Sequence, residues 1–295
     1  MLVTVVTPCL NPGARLTRCL DSVAAQSYPD VEHVVVDGGS TDGTVELLEQ
    51  RGVRFVSEPD RGQTDALEKG FAMARGELLS WLNADDELDP AAAELAASSG
   101  AEWVYGNCVV VEEGRRSVWV PTRRYGAREV EAGEMIPQPG SFFTRGAFER
   151  AGGLDPSFDL AMDIDLWIRL VDAGIEAHYV PADLATFEIH AASKTGHVGR
   201  TDFILEHARA LEKSGRLRAA SAAAGRAAAF GELPELPAWA DRRLFDTARA
   251  AERSIERLRA RDPRGALALL SPRIWREREV RARVVAGVRR GLSRS

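Results

Sequence analysis

The chain has 295 residues, of which 45% are hydrophobic and 28% are charged, a globular composition that excludes a fully disordered or collagen-like protein. Acidic residues outnumber basic ones by 44 to 38, and the net charge of −6 argues against nucleic-acid binding by bulk charge. Residues 273–295 carry eight arginines and two glutamates, a local charge of +6, so the remaining 272 residues carry −12. The sequence therefore describes an acidic body with a basic tail.

The three cysteines, at positions 9, 19 and 108, form no CxxC pair. This predicts a reduced, cytosolic protein without a disulfide framework or a zinc site. The first residues lack the basic region of a signal peptide, and no apolar run approaches the roughly 18 residues of a membrane span. We expect a cytoplasmic protein that is at most peripheral on the inner face of a membrane.

Short β-branched runs alternate with helical stretches through the first hundred residues. Strands are predicted at 2–7, 31–36, 53–57 and 77–82. Helices are predicted at 14–26, 41–50 and 63–74, and another begins at Pro90, since proline suits the first helical turn. This alternation predicts a mostly parallel sheet with helices on both faces.

The pattern becomes mixed after residue 100. A hairpin is predicted around Glu113-Gly114, between strands at 103–112 and 116–120. Further strands are predicted at 141–144, 177–180 and 184–189, with a helix at 163–173. After about residue 200 the sequence is rich in alanine and arginine and has helical spacing. The predicted organisation is an α/β domain over 1–200 and a helical C-terminal region over 201–295.

Four predicted strands end in polar loops, which lie at one edge of a parallel sheet. The charged residues gathered there are Asp37, Asp42, Asp60, Arg61, Asp65, Asp85 and Asp86. Adjacent carboxylates repel one another, and Mg²⁺ or Mn²⁺ relieves this repulsion while binding diphosphate. Asp85-Asp86 is therefore a candidate anchor for a metal and a diphosphate, and Asp37 a candidate partner of a ribose or base. The alternatives are a turn with a helix cap at 37–43 and a solvated loop at 85–86.

Several nucleotide and hydrolase motifs are absent from the sequence. There is no GxGxxG after the first strand, no GxxxxGK[ST], no HExxH and no GxSxG. These absences disfavour a dinucleotide-binding Rossmann site, a P-loop, a zinc protease and an α/β-hydrolase.

An ordered set of segments resembles family-2 glycosyltransferases, which have the GT-A fold. The segments are 3–8, 36–44, 60–67, 81–86 and 162–170. Residues 137–143, 189–190 and 193–195 are also similar to members acting in polysaccharide assembly. The resemblance covers about residues 1–200. It implies a Rossmann-like sheet, a nucleotide-diphosphate sugar donor (UDP, GDP or dTDP), a glycan or lipid-linked acceptor, and inversion by single displacement.

The resemblance and the side-chain chemistry together suggest a role for each candidate residue. Candidate nucleotide-sugar ligands are Pro8, Asn11, Asp37, Arg61, Asp65, Asn83, Ala84, Asp85 and Lys194. Candidate metal ligands are Asp85, Asp86 and His190, and candidates for the acceptor or sugar are Gln138 and Trp167. Asn83 stands where many members have Asp, which leaves the Asp85-Asp86 pair. A purely hydrogen-bonding role for His190 and a core position for Trp167 remain open.

Asp163 is the candidate general base, because the acceptor hydroxyl must lose a proton to a carboxylate as it attacks. Met162 stands where many family members have Glu. The alternative for Asp163 is a helix N-cap. Asp165 competes for the base role. Alternatively, its negative charge interacts favourably with the positive N-terminal end of the helix.

The sequence leaves open the role of the tail and two alternative functions. Val280, Val284, Val288 and Leu292 repeat every four residues among arginines, which predicts a basic amphipathic helix for a membrane surface, for packing on the body or for a dimer contact. The alternative functions are a non-catalytic nucleotide-sugar binding protein and a sugar-phosphate nucleotidyltransferase. The latter is disfavoured because residues 8–13 contain no Lys or Arg.

Overall fold

A computed structural model describes residues 1–190, 193–194, 200–229, 240–259 and 280. The chain divides into a first unit, residues 1–126 and 136–197, and a second unit, residues 127–135 and 198–295. Apart from Val280, the predicted tail helix lies outside the described residues. In the part of the chain described, no helix is long and apolar enough to cross a bilayer.

The first unit begins with the predicted alternation of strands and helices. Its elements are β1 (Val3–Cys9), α1 (Arg15–Ala24), β2 (Val31–Asp37), α2 (Thr44–Arg51), β3 (Arg54–Ser57), α3 (Gln63–Met73) and β4 (Leu78–Trp81). The strands are parallel in the order β3-β2-β1-β4. Every residue of β1 is buried, as expected for a strand covered on both faces. The predicted parallel half is confirmed.

The second half of this unit is mixed, as predicted. Its elements are β5 (Glu87–Leu88), α4 (Ala92–Ser99), β6 (Trp103–Glu112), β7 (Arg115–Trp119), β8 (Phe142–Thr144), α6 (Arg145–Arg150), α7 (Met162–Asp172) and β9 (Ala177–Ile189). The order across the sheet is β3-β2-β1-β4-β8-β6-β9-β5, and β7 pairs with β6. β8 is antiparallel to both its neighbours, whereas β6 and β9 are parallel.

β9 is one strand where the sequence predicts two. Its register against β6 shifts so that Gly106 faces Val180 and Asn107 faces Asp183. The shift leaves Pro181, which has no N–H to donate, out of the ladder. The proline therefore produces a bulge within a continuous strand rather than ending it.

Close packing of α3 on the sheet places its N-terminus at the carboxyl ends of the strands. A Cβ added at Gly70 would lie 2.2 Å from Cγ1 of Val6 and 3.2 Å from Cγ2 of Val36, so only glycine fits there. On the neighbouring core, the Trp167 ring stacks between Trp81 and Trp103, with centroids 5.8 and 5.2 Å apart.

The described part of the second unit is helical. It contains α5 (Ala127–Glu131), α8 (Arg200–Lys213), α9 (Leu217–Ala227) and α10 (Arg242–Arg259). α9 and α10 approach each other closely, because a Cβ at Gly225 would lie 2.3 Å from the carbonyl oxygen of Phe245. Small apolar residues, including Ala222 and Ala248, form the core between them.

Candidate active site

A cavity of about 450 Å³ opens in the first unit at the carboxyl ends of β1 and β4. Its walls come from the loop after β1, the start of α3, the loop after β4 and the end of β9. The lining residues are Pro8, Cys9, Leu10, Asn11, Pro12, Arg15, Asp60, Gly62, Gln63, Ala66, Asn83, Ala84, Asp85, Asp159, Phe187, His190, Ser193 and Lys194. This is the edge at which parallel α/β sheets bind ligands.

Asp85 and His190 meet in this cavity. The carboxylate Oδ2 lies 3.0 Å from Nε2 of His190, and the two side chains are 23% and 16% exposed. β5 and β9 bring them together, because Glu87 pairs with Thr186 in an antiparallel ladder. The His190 N–H also donates to Oγ of Ser193 at 3.3 Å. Two of the three candidate metal ligands, Asp85 and His190, therefore face the same space.

Asp86 lies behind Asp85 and does not line the cavity. Its fully buried carboxylate accepts the N–H of Glu188 at 3.2 Å and Nδ2 of Asn83 at 3.1 Å. Burial, with the negative charge of Asp85 beside it, raises the pKa of Asp86 well above its ordinary value. The residue ties the loop after β4 to β9 and thereby supports the Asp85–His190 pair.

Asn83 lines the cavity and links it to α3. Its Oδ1 accepts a hydrogen bond from Nε2 of Gln63 at 2.7 Å, while its own Nδ2 donates to Asp86. Together with the backbone of Glu188, these side chains form a continuous chain of hydrogen bonds from α3 to β9. The amide at position 83 both donates and accepts, which a carboxylate cannot do.

The loop after β1 is fixed by the loop after β2. Asn11, at a φ of +48°, accepts the N–H of Thr41 at 2.8 Å, and its own N–H donates to Oγ of Ser40 at 2.7 Å. A φ in this region is several-fold commoner for Asn than for most side chains. Asn11 and Pro8 thus line the cavity on a loop held in place from outside.

Asp37 is buried beneath that loop and does not line the cavity. Its carboxylate accepts the N–H groups of Gly39 and Ser40 at 3.2 and 3.0 Å and the Ser57 hydroxyl at 2.6 Å. Burial by itself would raise the pKa of Asp37, but the hydrogen bonds from Ser40 and Ser57 hold it below the ordinary value. The structure gives this carboxylate a role in shaping the loop.

Lys194 crosses the cavity rim to Asp159. Its Nζ lies 2.9 Å from both the carbonyl oxygen and Oδ1 of Asp159. Arg61 and Asp65 lie outside the lining; the guanidinium is 81% exposed and its Nη2 is 2.7 Å from the Asp65 carboxylate. The structure therefore places Lys194 in the cavity wall, and the Arg61–Asp65 pair on the surface beside it.

Asp163 is half-buried in the first turn of α7, one residue after Met162. Met162 Sδ accepts the Thr64 hydroxyl at 3.4 Å, which joins this turn to the start of α3. Asp163 Oδ1 accepts the N–H of Ile164 at 2.8 Å. Asp163 is not among the lining residues of the cavity, but its helix starts close to that wall.

Asp165, the competing candidate, is buried and bound to Arg169. The two guanidinium nitrogens Nε and Nη2 lie 2.9 and 2.6 Å from the same carboxylate oxygen. Arg169 also donates to the backbone carbonyl of Gly153 at 2.6 Å. This carboxylate holds the preceding loop against α7.

Gln138 and Trp167, the candidates for the acceptor or sugar, lie in the interior. Nε2 of Gln138 donates to the carbonyl oxygen of Trp81 at 2.8 Å. Trp167 has no exposed surface and stacks between Trp81 and Trp103, the core position left open above. Neither residue lines the cavity.

Several lining residues carry no clear sequence signal. Asp159 lies in an irregular loop before α7, and Phe187 lies in a strand that reads as core. Arg15 follows the first strand-end loop and opens α1. The position of Arg15, one helical turn after a strand end, is a signal that the sequence contains, whereas Asp159 has no such position.

Comparisons with known proteins identify the family of the chain. The model of the family described as Glycosyl transferase family 2 matches residues 4–154. An uncharacterized glycosyltransferase of Mycobacterium tuberculosis is 34% identical over 180 residues, which cover 57% of this chain and 68% of that protein.

Two solved structures have a similar fold. S. aureus TarS 1-349 in complex with UDP-GlcNAc superposes with a TM-score of 0.61 at 16% identity, covering 99% of this chain and 92% of that one. The mannosyltransferase PcManGT from Pyrobaculum calidifontis, in complex with GDP-Man and Mn²⁺, gives 0.54 at 21% identity, covering 98% and 86%. The expected GT-A fold is confirmed. The chain belongs to glycosyl transferase family 2, and it is a glycosyltransferase.

Proposed function

We propose that this glycosyltransferase moves a sugar, with inversion, from a nucleotide-diphosphate donor to a hydroxyl of a glycan or lipid-linked acceptor. The observation that carries the proposal is the Asp85–His190 pair, 3.0 Å apart, in a cavity at the carboxyl ends of the parallel strands. A carboxylate and an imidazole facing one space are donors for a divalent cation, and such a cation binds diphosphate.

The donor atoms fit a cation that is also held by the substrate. Two adjacent ligands of an octahedral ion with bonds of about 2.1 Å stand about 3 Å apart. Asp85 and His190 have a similar separation and share a hydrogen bond, which a bound cation would replace. No group of three or more His, Cys, Asp or Glu side chains suited to a metal exists within the described residues. The remaining ligands would therefore be diphosphate oxygens and water. Because one donor is an imidazole, Mn²⁺ suits the pair better than Mg²⁺.

Other lining residues provide complementary charge and shape for the donor. Arg15 and Lys194 are cationic lining residues that suit the diphosphate, while Pro8, Asn11 and Asp60 form the wall that suits a nucleoside. The structural neighbours that hold UDP-GlcNAc, and GDP-Man with Mn²⁺, support this class of donor. The bound cation would neutralise the charge that develops on the departing diphosphate.

Asp163 is our proposed general base. Asp165, the only other carboxylate in the first turn of α7, is buried against Arg169 and bound to it through two nitrogens. A general base must reach the proton of the acceptor hydroxyl, which a carboxylate held in the interior in this way does not do. Asp163 is half-buried and lies one residue after Met162, in the turn that the Thr64 hydroxyl joins to the start of α3.

The first experiment identifies the donor. Thermal unfolding of the intact chain is followed with UDP-, GDP- and dTDP-sugars, each with and without Mn²⁺. We expect one nucleotide class to raise the melting temperature, and to do so more strongly with Mn²⁺, because a ligand that binds only the folded state stabilises it. If no nucleotide sugar stabilises the protein, the proposal fails.

The second experiment tests the base. Asp163→Asn should lower turnover at least about 100-fold, as expected for loss of a general base, with donor affinity unchanged. Asp172→Asn is the matched control, since this exposed carboxylate closes the same helix. Unchanged turnover in Asp163→Asn, with donor binding intact, would exclude Asp163 as base. The anomeric configuration of the product, read by NMR, tests inversion separately.

A further inference from the structure

A basic and apolar edge lies along the β6–β7 hairpin. Four arginines there are exposed, namely Arg115, Arg116, Arg123 and Arg124. Between them, Val118 is 51% exposed and Val120 is 60% exposed. Within the described residues, none of the four arginines has an ion-pair partner. We call residues 115–124 the hairpin edge.

The sign of the charge sets the hairpin edge apart from the body that carries it. With the hairpin tip included, residues 112–126 contain four arginines and two glutamates, a local charge of +2, whereas residues 1–272 together carry −12. A concentration of unpaired arginines on an acidic body is the electrostatic footprint of an anionic partner.

The strand geometry puts charge and apolar surface on one side. Within β7, Arg116 and Val118 are two residues apart, so their side chains point to one face, and Arg115 points to the other; the exposed Val120 follows the end of the strand. β7 pairs only with β6, so its other edge has no strand beside it among the described residues. Trp119, partly buried, alternates to the opposite face. The hairpin edge therefore presents arginine and valine together along an open strand.

This edge lies close to the cavity. In the sheet, Val111 pairs with Arg116 on one side and with Glu188 on the other, and β9 ends one residue before His190. Two strand spacings separate Arg116 from β9, about 10 Å. A surface that docks on the hairpin edge would therefore lie beside the mouth of the site.

We propose that the hairpin edge docks on the surface of an anionic lipid bilayer. Arginine guanidiniums would bind lipid phosphates, and the exposed valines would enter the boundary between headgroups and acyl chains. A soluble polyanion would need only the arginines, so the two exposed valines between them favour a bilayer over a free anionic polymer. The proposal concerns the described first unit and is independent of what the basic tail binds.

The first arm of the test is vesicle co-sedimentation of the intact chain. Vesicles of phosphatidylcholine alone are compared with vesicles that also contain phosphatidylglycerol. The variant Arg115→Glu/Arg116→Glu should bind the anionic vesicles at least about tenfold more weakly, since each basic residue near such a surface contributes measurably. The control Arg51→Glu/Arg150→Glu makes the same change of net charge at exposed surface pairs on α2 and α6 and should bind as the wild type does.

The second arm of the test measures insertion of the hairpin edge into the bilayer. The three native cysteines are buried, so a single Val118→Cys carries an environment-sensitive dye selectively. We expect the dye to brighten with phosphatidylglycerol vesicles and to stay unchanged with soluble polyphosphate. Gln50→Cys, exposed on α2, is the labelled control and should not respond.

Three results would overturn the proposal. Unchanged binding of Arg115→Glu/Arg116→Glu, with a silent dye at position 118, would assign vesicle binding to another part of the chain. Binding of polyphosphate that depends on the two arginines, again with a silent dye, would identify an anionic polymer as the partner. A dye signal that rises with protein concentration in the absence of vesicles would identify a second copy of the chain.

Discussion

The loop after β2 and the loop after β4 are both rich in aspartate, yet the structure uses their carboxylates in different ways. Asp37 and Asp42 are bound by N–H and hydroxyl groups of their own and neighbouring loops. In the other loop Asp86 is bound in the same manner, but Asp85 faces the cavity and His190. Four similar carboxylates thus divide into three that hold loops and one that faces a ligand space.

This contrast indicates how a carboxylate that binds a ligand can be distinguished from a carboxylate that holds a loop. A carboxylate that accepts several N–H and O–H groups is already satisfied, and adding a cation would require breaking those bonds. A carboxylate whose neighbour is another metal-type donor in an open cavity has capacity left for a ligand. Position at a strand end is shared by both kinds, so the partner groups decide the role.

The largest effect is expected for Asp85, the carboxylate that faces the cavity. Asp85→Asn removes the charge that would bind the cation, so we expect turnover to fall at least about 100-fold, because metal stabilisation of the leaving group amounts to several kcal/mol. The free energy of unfolding without ligand should change little, since Asp85 is not buried among backbone donors. Initial rates at several Mn²⁺ concentrations, with urea unfolding in parallel, measure both. Full activity of the variant at saturating Mn²⁺ would show that Asp85 is not a metal ligand.

Asp37→Asn should show the reverse pattern. The amide cannot accept all the hydrogen bonds that Gly39, Ser40 and Ser57 donate to the carboxylate, and these groups would be left unsatisfied in a buried place. We expect a loss of about 2–4 kcal/mol in the free energy of unfolding, measured by urea titration. Where the variant remains folded, Mn²⁺ affinity should stay within about threefold of wild type. A normal stability with lost donor binding would instead make Asp37 a nucleotide ligand.

The pH dependence of unfolding distinguishes the stability contribution of His33, on β2, from that of Asp37 at the end of the same strand. Burial lowers the pKa of His33, on β2, from 6.5 to about 4, so the folded protein favours the neutral imidazole. Stability from this group is complete above pH 6.5 and is lost as pH falls towards 4, by up to about 3 kcal/mol. The pKa of Asp37 is held below 3.8, so its contribution is lost only at still lower pH.

The variant His33→Gln tests this assignment. It should flatten the stability profile between pH 6.5 and 4, whereas Asp37→Asn should leave that part of the profile in place. Urea unfolding at intervals of pH provides the measurement. A profile in His33→Gln as steep as that of the wild type would show that other groups cause the acid sensitivity.

The sequence is sufficient for the regular part of the fold. Alternating apolar runs and helical periodicity predict β1 to β4 with their helices. β1, β2 and β4 consist mostly of buried residues, and helices connect all four strands. β5, with two residues, and α6, with six, are too short to show a period. The continuity of β9 through Pro181 depends on its pairing with β6, which local sequence does not encode.

The candidate site is predictable to a similar degree. Strand-end position is enough to find Asn11, Asn83 and Asp85, all of which line the cavity. It does not distinguish Asp85 from Asp86, because the difference depends on the N–H of Glu188, about a hundred residues away. It also misses Asp159, whose place in the wall depends on a tertiary contact with Lys194. Roles that depend on long-range partners require the structure.

The smallest expected effect concerns Arg61, a charged residue at the same sheet edge but outside the cavity. The side chain is 81% exposed and bound to Asp65 one helical turn away, and an exposed pair of this kind contributes little to stability. We therefore expect Arg61→Ala to change donor affinity by less than about threefold, measured by the shift in melting temperature across a donor titration. Lys194→Ala is the matched comparison, because this cation lines the cavity and its loss should weaken donor binding more. If Arg61→Ala weakened binding as strongly as Lys194→Ala, Arg61 would have to move towards the cavity when the donor binds. Contact with the cavity in the free protein would then no longer distinguish residues that bind the ligand from residues that only hold the loops.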